Sequence, residues 1–250
     1  MNLLLFRFKQ LLVGLYRCVS GVAQPLLSFL QHLAAKDILV ERQRRALITT
    51  VDYIERHMRH VDSVRSRSAL LARAFRLADA SANRLILEFG VFTGGTINQL
   101  AKLTTHTVFG FDSFEGLPER WRDTCAKGLF AMPTLPRVRP NVTLVKGLFH
   151  ESLPPFLAEH AGTVAFLHVD CDLCSSARVV LQLLRDRLVP GTVIVFDEYF
   201  NYPEWEQGEY RAFQEFLADT GLSFEFIGYH RTEEQVAVIL RAGERPIPQA

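Results

Sequence analysis

The chain has 250 residues, 48% of them hydrophobic and 22% charged, with 4 cysteines and a formal net charge of +1. That apolar content and even charge balance exclude a disordered chain, and the length suits one α/β domain with an appendage. Two of the cysteines are close together and no disulfide framework is visible, so a reducing, cytoplasmic setting is the expectation.

The near-neutral total hides an asymmetry. Residues 1–84 hold 14 Lys and Arg against 6 Asp and Glu, whereas residues 85–250 hold 14 against 21. A basic front and an acidic body point to two regions with different partners. Residues 2–35 are rich in Leu, Val and Phe, but Arg7, Lys9 and Arg17 follow or interrupt the apolar run, whereas a signal peptide puts its charges first. The stretch from Cys18 to Ala35 is uncharged, yet Gly21, Gln24, Pro25 and His32 make it too polar for a membrane span. An amphipathic helix fits better, packing on a second copy in a homo-oligomer or lying on a membrane surface.

From Val40 to Leu77 the apolar residues Leu47, Val51, Ile54, Met58 and Val61 recur at three- and four-residue steps, predicting a helix. The arginines between them (Arg42, Arg44, Arg45, Arg56, Arg59) read as a solvated face or as a contact with the acidic body. No nucleic-acid-binding module accompanies them, so no nucleic-acid partner is expected. His57 and His60 lack further ligands and read as polar-face residues. Residues 1–84 are therefore read as a helical extension and residues 85–250 as a separate domain.

Past Asn83 short apolar runs alternate with helical patterns. Strands are expected at Leu85–Leu87, Thr107–Phe111, Val142–Val145, Val164–Val169, Thr192–Phe196, Phe224–Tyr229 and Gln235–Leu240. Helices are expected at Thr96–Leu103, Ser175–Leu188 and Gly208–Asp219. This alternation predicts a Rossmann-like α/β fold, with a mostly parallel seven-stranded sheet and helices on both faces. The last two strands are too close for a crossover helix and form a hairpin, which reverses the final strand. Residues Gly116–Pro140 make one long insertion of the sort that covers a site.

In such a sheet the ligand sits beyond the carboxyl ends of the strands. The first strand ends in Glu88-Phe89-Gly90-Val91-Phe92-Thr93-Gly94-Gly95-Thr96, a glycine turn that does not match a dinucleotide fingerprint. A carboxylate at Glu88 suits a cationic amino group, and the helix start suits an anion; S-adenosylmethionine carries both. Asp112 ends the second strand, roughly 20 residues past the glycine turn, where an acid binds ribose hydroxyls or caps a helix. Phe114 is placed to face an adenine. Asp170-Cys171-Asp172 and Asp197-Glu198 put carboxylates at two more strand ends, which suits Mg²⁺ or another hard cation, with Asp172 alternatively a helix cap. His168 shares a strand face with Asp170, and Cys171 with Cys174 forms a lone pair that makes neither a zinc site nor a redox unit.

The runs Leu87-to-Thr96, Phe109-Gly110-Phe111-Asp112-Ser113-Phe114-Glu115-Gly116-Leu117-Pro118, Asp170-Cys171-Asp172 and Phe196-Asp197-Glu198-Tyr199 resemble the macrocin O-methyltransferase-type family. These are class I S-adenosylmethionine-dependent methyltransferases, and the resemblance spans roughly residues 85–243. It implies a divalent-metal-assisted methyl transfer to a hydroxyl of a small molecule, typically a sugar on a natural product. It also implies that Glu88, Gly90 and Thr96 hold the methionine part and Asp112 the ribose, with Gly94, Ser113 and Asp170 also binding the cofactor. Asp170, Asp197 and Glu198 would hold Mg²⁺, and Asp170 would take the acceptor proton. Two positions depart from related patterns: Cys174 stands where the family has an aromatic, and Leu173 where catechol O-methyltransferases have a lysine base. The competing readings are a metal-dependent glycosyltransferase using the Asp-x-Asp step, which leaves Glu88 and Asp112 unexplained, and a non-catalytic cofactor-binding or membrane-docking module.

Overall fold

The computed structural model describes residues 24–25, 36–81, 83–123 and 125–243. The amphipathic helix expected in residues 2–35 lies almost wholly outside them. Helix α1 (Ile38–His57) starts at Asp37, whose carboxylate accepts the Leu39 N–H at 2.9 Å. Helix α2 (Arg67–Phe75) starts at Ser66, whose Oγ accepts the Ala69 N–H at 3.3 Å. Between them Ser63–Val64 forms a two-residue strand, β1. The single helix expected over Val40–Leu77 is thus two helices and a strand, because Met58 turns inward and Ser66 restarts the helix at a new cap.

The seven expected strands all form: β2 (Leu85–Phe89), β3 (Val108–Asp112), β4 (Val142–Lys146), β5 (Val164–Val169), β6 (Val193–Phe196), β7 (Ser223–His230) and β8 (Val236–Arg241). With β1 they make an eight-stranded sheet in the order β1-β7-β8-β6-β5-β2-β3-β4. The expected count of seven is corrected by one, since β1 joins the edge in parallel to β7. β8 runs antiparallel to both β6 and β7, as the short link between the last two strands requires. Helices α3 (Gly95–Leu100), α5 (Cys174–Leu183) and α6 (Glu209–Thr220) fall where periodicity places them. Helix α4 (Phe149–Glu159) had no visible period because Pro154 and Pro155 sit inside it.

Strands β2, β5 and β6 are buried along their whole length, as parallel strands covered on both faces are. Leu85, Leu87, Phe89, Leu167 and Val169 pack with α1, α4, α5 and α6 through Tyr53, Phe156, Val180 and Phe213. Ile86, Phe166, Val193 and Val195 pack with α2 and α3 through Leu70, Leu71, Phe75 and Ile97. Alternation along each strand assigns the polar residues too. Glu88 pairs in register with His168, and His168 with Val195, so both polar side chains lie on the α2/α3 face.

The front segment is tied to the body by polar contacts. Tyr53 and Tyr199 hydroxyls lie 3.1 Å apart, Trp205 Nε1 donates to Thr49 Oγ1 at 3.0 Å, and Gln43 Nε2 donates to the Asn201 carbonyl at 2.7 Å. Arg42 pairs with Asp123 and, at 3.1 Å, with Glu204, so at this arginine the contact with the acidic body is realised. Among the described residues no helix is long and apolar enough to cross a membrane.

Leu71 of α2 is fully buried, whereas Leu47 of α1 is 48% exposed. Leu71→Ala should lower unfolding free energy by about 2–5 kcal/mol and Leu47→Ala by no more than about 0.5 kcal/mol. Urea denaturation followed by circular dichroism checks this; equal, small effects would mean that α2 is not part of the cooperative core.

Candidate active site

The loops that follow β2, β3, β5 and β6 surround a cavity of about 800 Å³. Gly90, Asp112, Ser113, Asp170, Asp197 and Glu198, all singled out from sequence, line it. The insertion after Gly116 contributes Leu117, Pro118, Trp121, Arg122 and Phe130, and the front segment contributes Gln43 and Arg67.

Gly90 is held at φ +93°, and a Cβ there would lie 1.6 Å from the Asp170 carbonyl oxygen. Only glycine lets the turn after β2 press against the loop after β5. Gly94, at φ +81°, opens α3 but does not face the cavity. Asp112 binds this turn rather than standing free: its Oδ2 accepts the N–H groups of Val91 (2.9 Å) and Phe92 (2.8 Å), and its Oδ1 that of Phe114 (2.7 Å). A carboxylate offers about four acceptor positions, so these bonds leave one over on a residue that lines the cavity. Phe114 is buried in the core, whereas Phe92 and Phe130, in edge contact at 5.4 Å, lie on the wall.

Glu88 does not reach the cavity. It is fully buried, accepts the Thr96 hydroxyl at 2.9 Å and lies 3.0 Å from His168 Nδ1. Strand alternation sends Glu88 under the loop, toward α3, and Thr96 goes with it. Neither side chain lines the cavity, and together they support the turn from beneath.

His168 continues the chain of charges, its Nε2 lying 3.6 Å from Asp197 Oδ1. Burial alone would lower the imidazole pKa, but Asp197 and Glu88 on either side outweigh it and push it up to about 10. Beyond Asp197 comes Arg67, with Nε 2.7 Å from Asp197 Oδ1 and Nη2 in contact with Asp170 Oδ2. Burial works against the charge on Arg67, but Asp170 and Asp197 hold it protonated. Asp197, which burial would raise, is kept below the usual carboxylate range by His168 and Arg67. Burial and Asp197 push Asp170 up to about 8, against the pull of Arg67 and His168.

The expected metal set of Asp170, Asp197 and Glu198 is not the set that converges. The ligand atoms lying within 4.8 Å of one another belong to His168, Asp170 and Asp197. Burial, with Asp197 and Glu209 nearby, raises the Glu198 carboxyl well above its ordinary value. Its Oε2 has no hydrogen-bond partner among the described residues. Mg²⁺ takes anionic oxygens, and an imidazole ligates only when neutral. As the side chains stand, Arg67 lies across the two aspartates, so this arrangement does not fit the ion.

Asp172 sits at φ +63° and does not cap α5, whose cap residue is Leu173 without a side-chain bond. It faces the cavity, and burial pushes it up to about 7 against Arg122. Sequence reasoning missed Arg67, Arg122 and Glu209. Arg122 lies between the rings of Trp121 (3.8 Å) and Tyr202 (4.0 Å) and pairs with Glu234 at 2.5 and 3.1 Å, fastening the insertion to the β7–β8 hairpin. Glu209, fully buried, accepts the N–H of Cys171 at 3.3 Å and of Glu198 at 3.2 Å, clamping the loops after β5 and β6. No local motif marks these three residues; only the crossing of distant elements does.

Residues 87–199 match a family model described as a methyltransferase domain. The chain is 33% identical over 149 residues to the 8-demethyl-8-(2,3-dimethoxy-alpha-L-rhamnosyl)-tetracenomycin-C 4'-O-methyltransferase of Streptomyces olivaceus. That match covers 49% of this chain and 55% of the relative, so the chain spans about half the length of the curated protein it resembles. Among solved structures, the calicheamicin methyltransferase CalS11 superposes with a TM-score of 0.57 at 24% identity, covering 69% of this chain and 77% of that one. The O-methyltransferase NovP superposes at 0.54 and 20% identity, covering 70% and 79%. These two share the fold. Residues 87–199 therefore match a methyltransferase domain, and the chain is similar in sequence to an O-methyltransferase and in fold to two solved methyltransferases.

Proposed function

We propose that the chain methylates a hydroxyl group of a glycosylated small molecule, with S-adenosylmethionine as donor. The observation that carries this reading is that one cavity is lined by Gly90 and Asp112 together with Asp170 and Asp172. The glycine turn admits a ligand close to the backbone, and the remaining acceptor position on Asp112 suits a ribose hydroxyl. The cofactor supplies an electrophilic methyl group: the oxygen–carbon bond forms as the carbon–sulfur bond breaks, and the electron pair stays on sulfur. The chain must place the acceptor oxygen in line and take its proton. Asp170 is the residue for the proton, since its carboxylate is raised toward neutral pH and borders the cavity.

Gln43, Asn201, Thr232 and Glu234 line the same cavity together with Trp121, a polar wall with an aromatic surface that suits a sugar. The relative from Streptomyces olivaceus is named for acting on a rhamnosyl group, which supports the same class of acceptor. A divalent-metal-assisted version of the reaction is the second reading. It is favoured by four carboxylates, Asp170, Asp172, Asp197 and Glu198, on one wall, and requires Arg67 to withdraw from two of them. The glycosyltransferase reading loses support, because the related proteins that share this fold are methyltransferases.

Calorimetric titration with S-adenosylhomocysteine should show one site per chain, weakened roughly tenfold or more by Asp112→Ala. A folded wild-type protein that shows no binding at millimolar ligand would sink the reading. With rhamnosylated polyketides as trial acceptors and mass spectrometry as readout, Asp170→Asn should lower kcat by about 10²–10⁴-fold while leaving S-adenosylhomocysteine affinity within about threefold. Undiminished turnover by this variant would remove Asp170 from the proton-transfer step.

A further inference from the structure

We infer that Arg67 is the resident cation of the strand-end carboxylates, its guanidinium holding the place between Asp170 and Asp197 that a divalent ion would otherwise take. The inference concerns cation binding alone and does not depend on which group the enzyme transfers.

Three observations carry it. One planar guanidinium spans carboxylates from two different strand ends, with Nε 2.7 Å from Asp197 and Nη2 in contact with Asp170. A lysine ammonium, as a compact point charge, could not reach both in the same way. The residue is also held from behind. It is the first residue of α2, directly after the Ser66 cap, and Leu70, Leu71 and Ala74 of that helix are buried against the sheet. Its side chain remains about one-third exposed, at the cavity edge rather than sealed beneath it.

The surrounding charges close the case. His168 stands between Glu88 and Asp197, and Arg67 between Asp197 and Asp170, so basic side chains and carboxylates alternate along one line. A divalent ion placed between the two aspartates would meet the guanidinium in the same space and the imidazole on the far side of Asp197. The cost of these buried carboxylates is met by the chain itself. This gives a basic residue of the front segment a role inside the site. It acts as a positioning residue that orients Asp170 and Asp197, not as a participant in bond making.

The test is Mn²⁺ binding to the full chain, read by the electron paramagnetic resonance of free Mn²⁺. The wild-type protein should show no saturable site at Asp170 up to about 1 mM, and Arg67→Ala should tighten Mn²⁺ binding by roughly tenfold or more, as removal of one unit charge from two carboxylates implies. Asp170→Asn introduced beside Arg67→Ala should abolish the gained site. Where circular dichroism shows that Arg67→Ala does not fold, Arg67→Gln, which keeps length and hydrogen-bonding capacity without the charge, takes its place. A wild-type site in the micromolar range that Asp170→Asn removes would overturn the inference. So would a folded Arg67 variant that binds Mn²⁺ no more tightly than the wild type.

Discussion

A line of alternating acidic and basic side chains, Glu88–His168–Asp197–Arg67–Asp170, buried at its first three members and opening to the cavity edge at the last two, holds the ligand end of the sheet in one arrangement. Removing one partner from such a line leaves a buried charge uncompensated, at a cost of about 3–5 kcal/mol. Replacing the whole line by apolar residues need not destabilise the fold, so its value lies in fixing geometry rather than in net stability. The members come from four elements: Glu88 from β2, His168 from β5 and Asp170 from its end, Asp197 from the end of β6, and Arg67 from α2. The line therefore fixes how three strands and one helix of the front segment sit against one another. Gln235, beside β8, adds a hydrogen bond of 3.3 Å to Asp197 and brings the reversed strand into the same network.

Above this line the loops are set by backbone contacts. Gly90 passes so close to the Asp170 carbonyl that no side chain fits, and Asp112 accepts three N–H groups that define the turn. On the opposite side Glu209 does the same for the loops after β5 and β6, from beneath. Gly208 before it leaves room for the Tyr202 hydroxyl, which a Cβ there would meet at 1.9 Å. The loops around the cavity are thus held by carboxylates that accept backbone hydrogen bonds, and Asp170 and Asp172 are among the acids that line the open space.

The front segment and the insertion complete the enclosure. Gln43 and Arg67 reach the cavity from α1 and α2, while Trp121 and Arg122 reach it from the insertion. Arg122 packs against two aromatic rings and pairs with Glu234, so the insertion is anchored to the hairpin by one residue that is both stacked and ion-paired. The acidic body and basic front meet at Arg42 with Asp123 and Glu204, and again at Arg67 with Asp170 and Asp197. The asymmetry in composition is in part the trace of these contacts.

Much of the fold is legible without coordinates, because apolar runs and their spacing follow from the backbone period that each element imposes. Leu85–Leu87, Val164–Val169 and Thr192–Phe196 read as buried strands, and the close spacing of the last two strands requires the reversal. What failed had local causes: two prolines concealed α4, and Ser66 split a helical period that otherwise runs on. The candidate site was legible as a list of acidic and glycine residues at strand ends. Their division of labour was not. Whether Glu88 faces the cavity or the core depends on which face of β2 is covered by α2 and α3, and Arg67 is separated from Asp170 by 103 positions in the chain. Sequence periodicity alone determined the strands, their mostly parallel order and the loops that carry the chemistry. Only the tertiary structure decided which carboxylates are neutralised and by what, because charge pairing depends on distances of a few ångströms between elements that share no local signal.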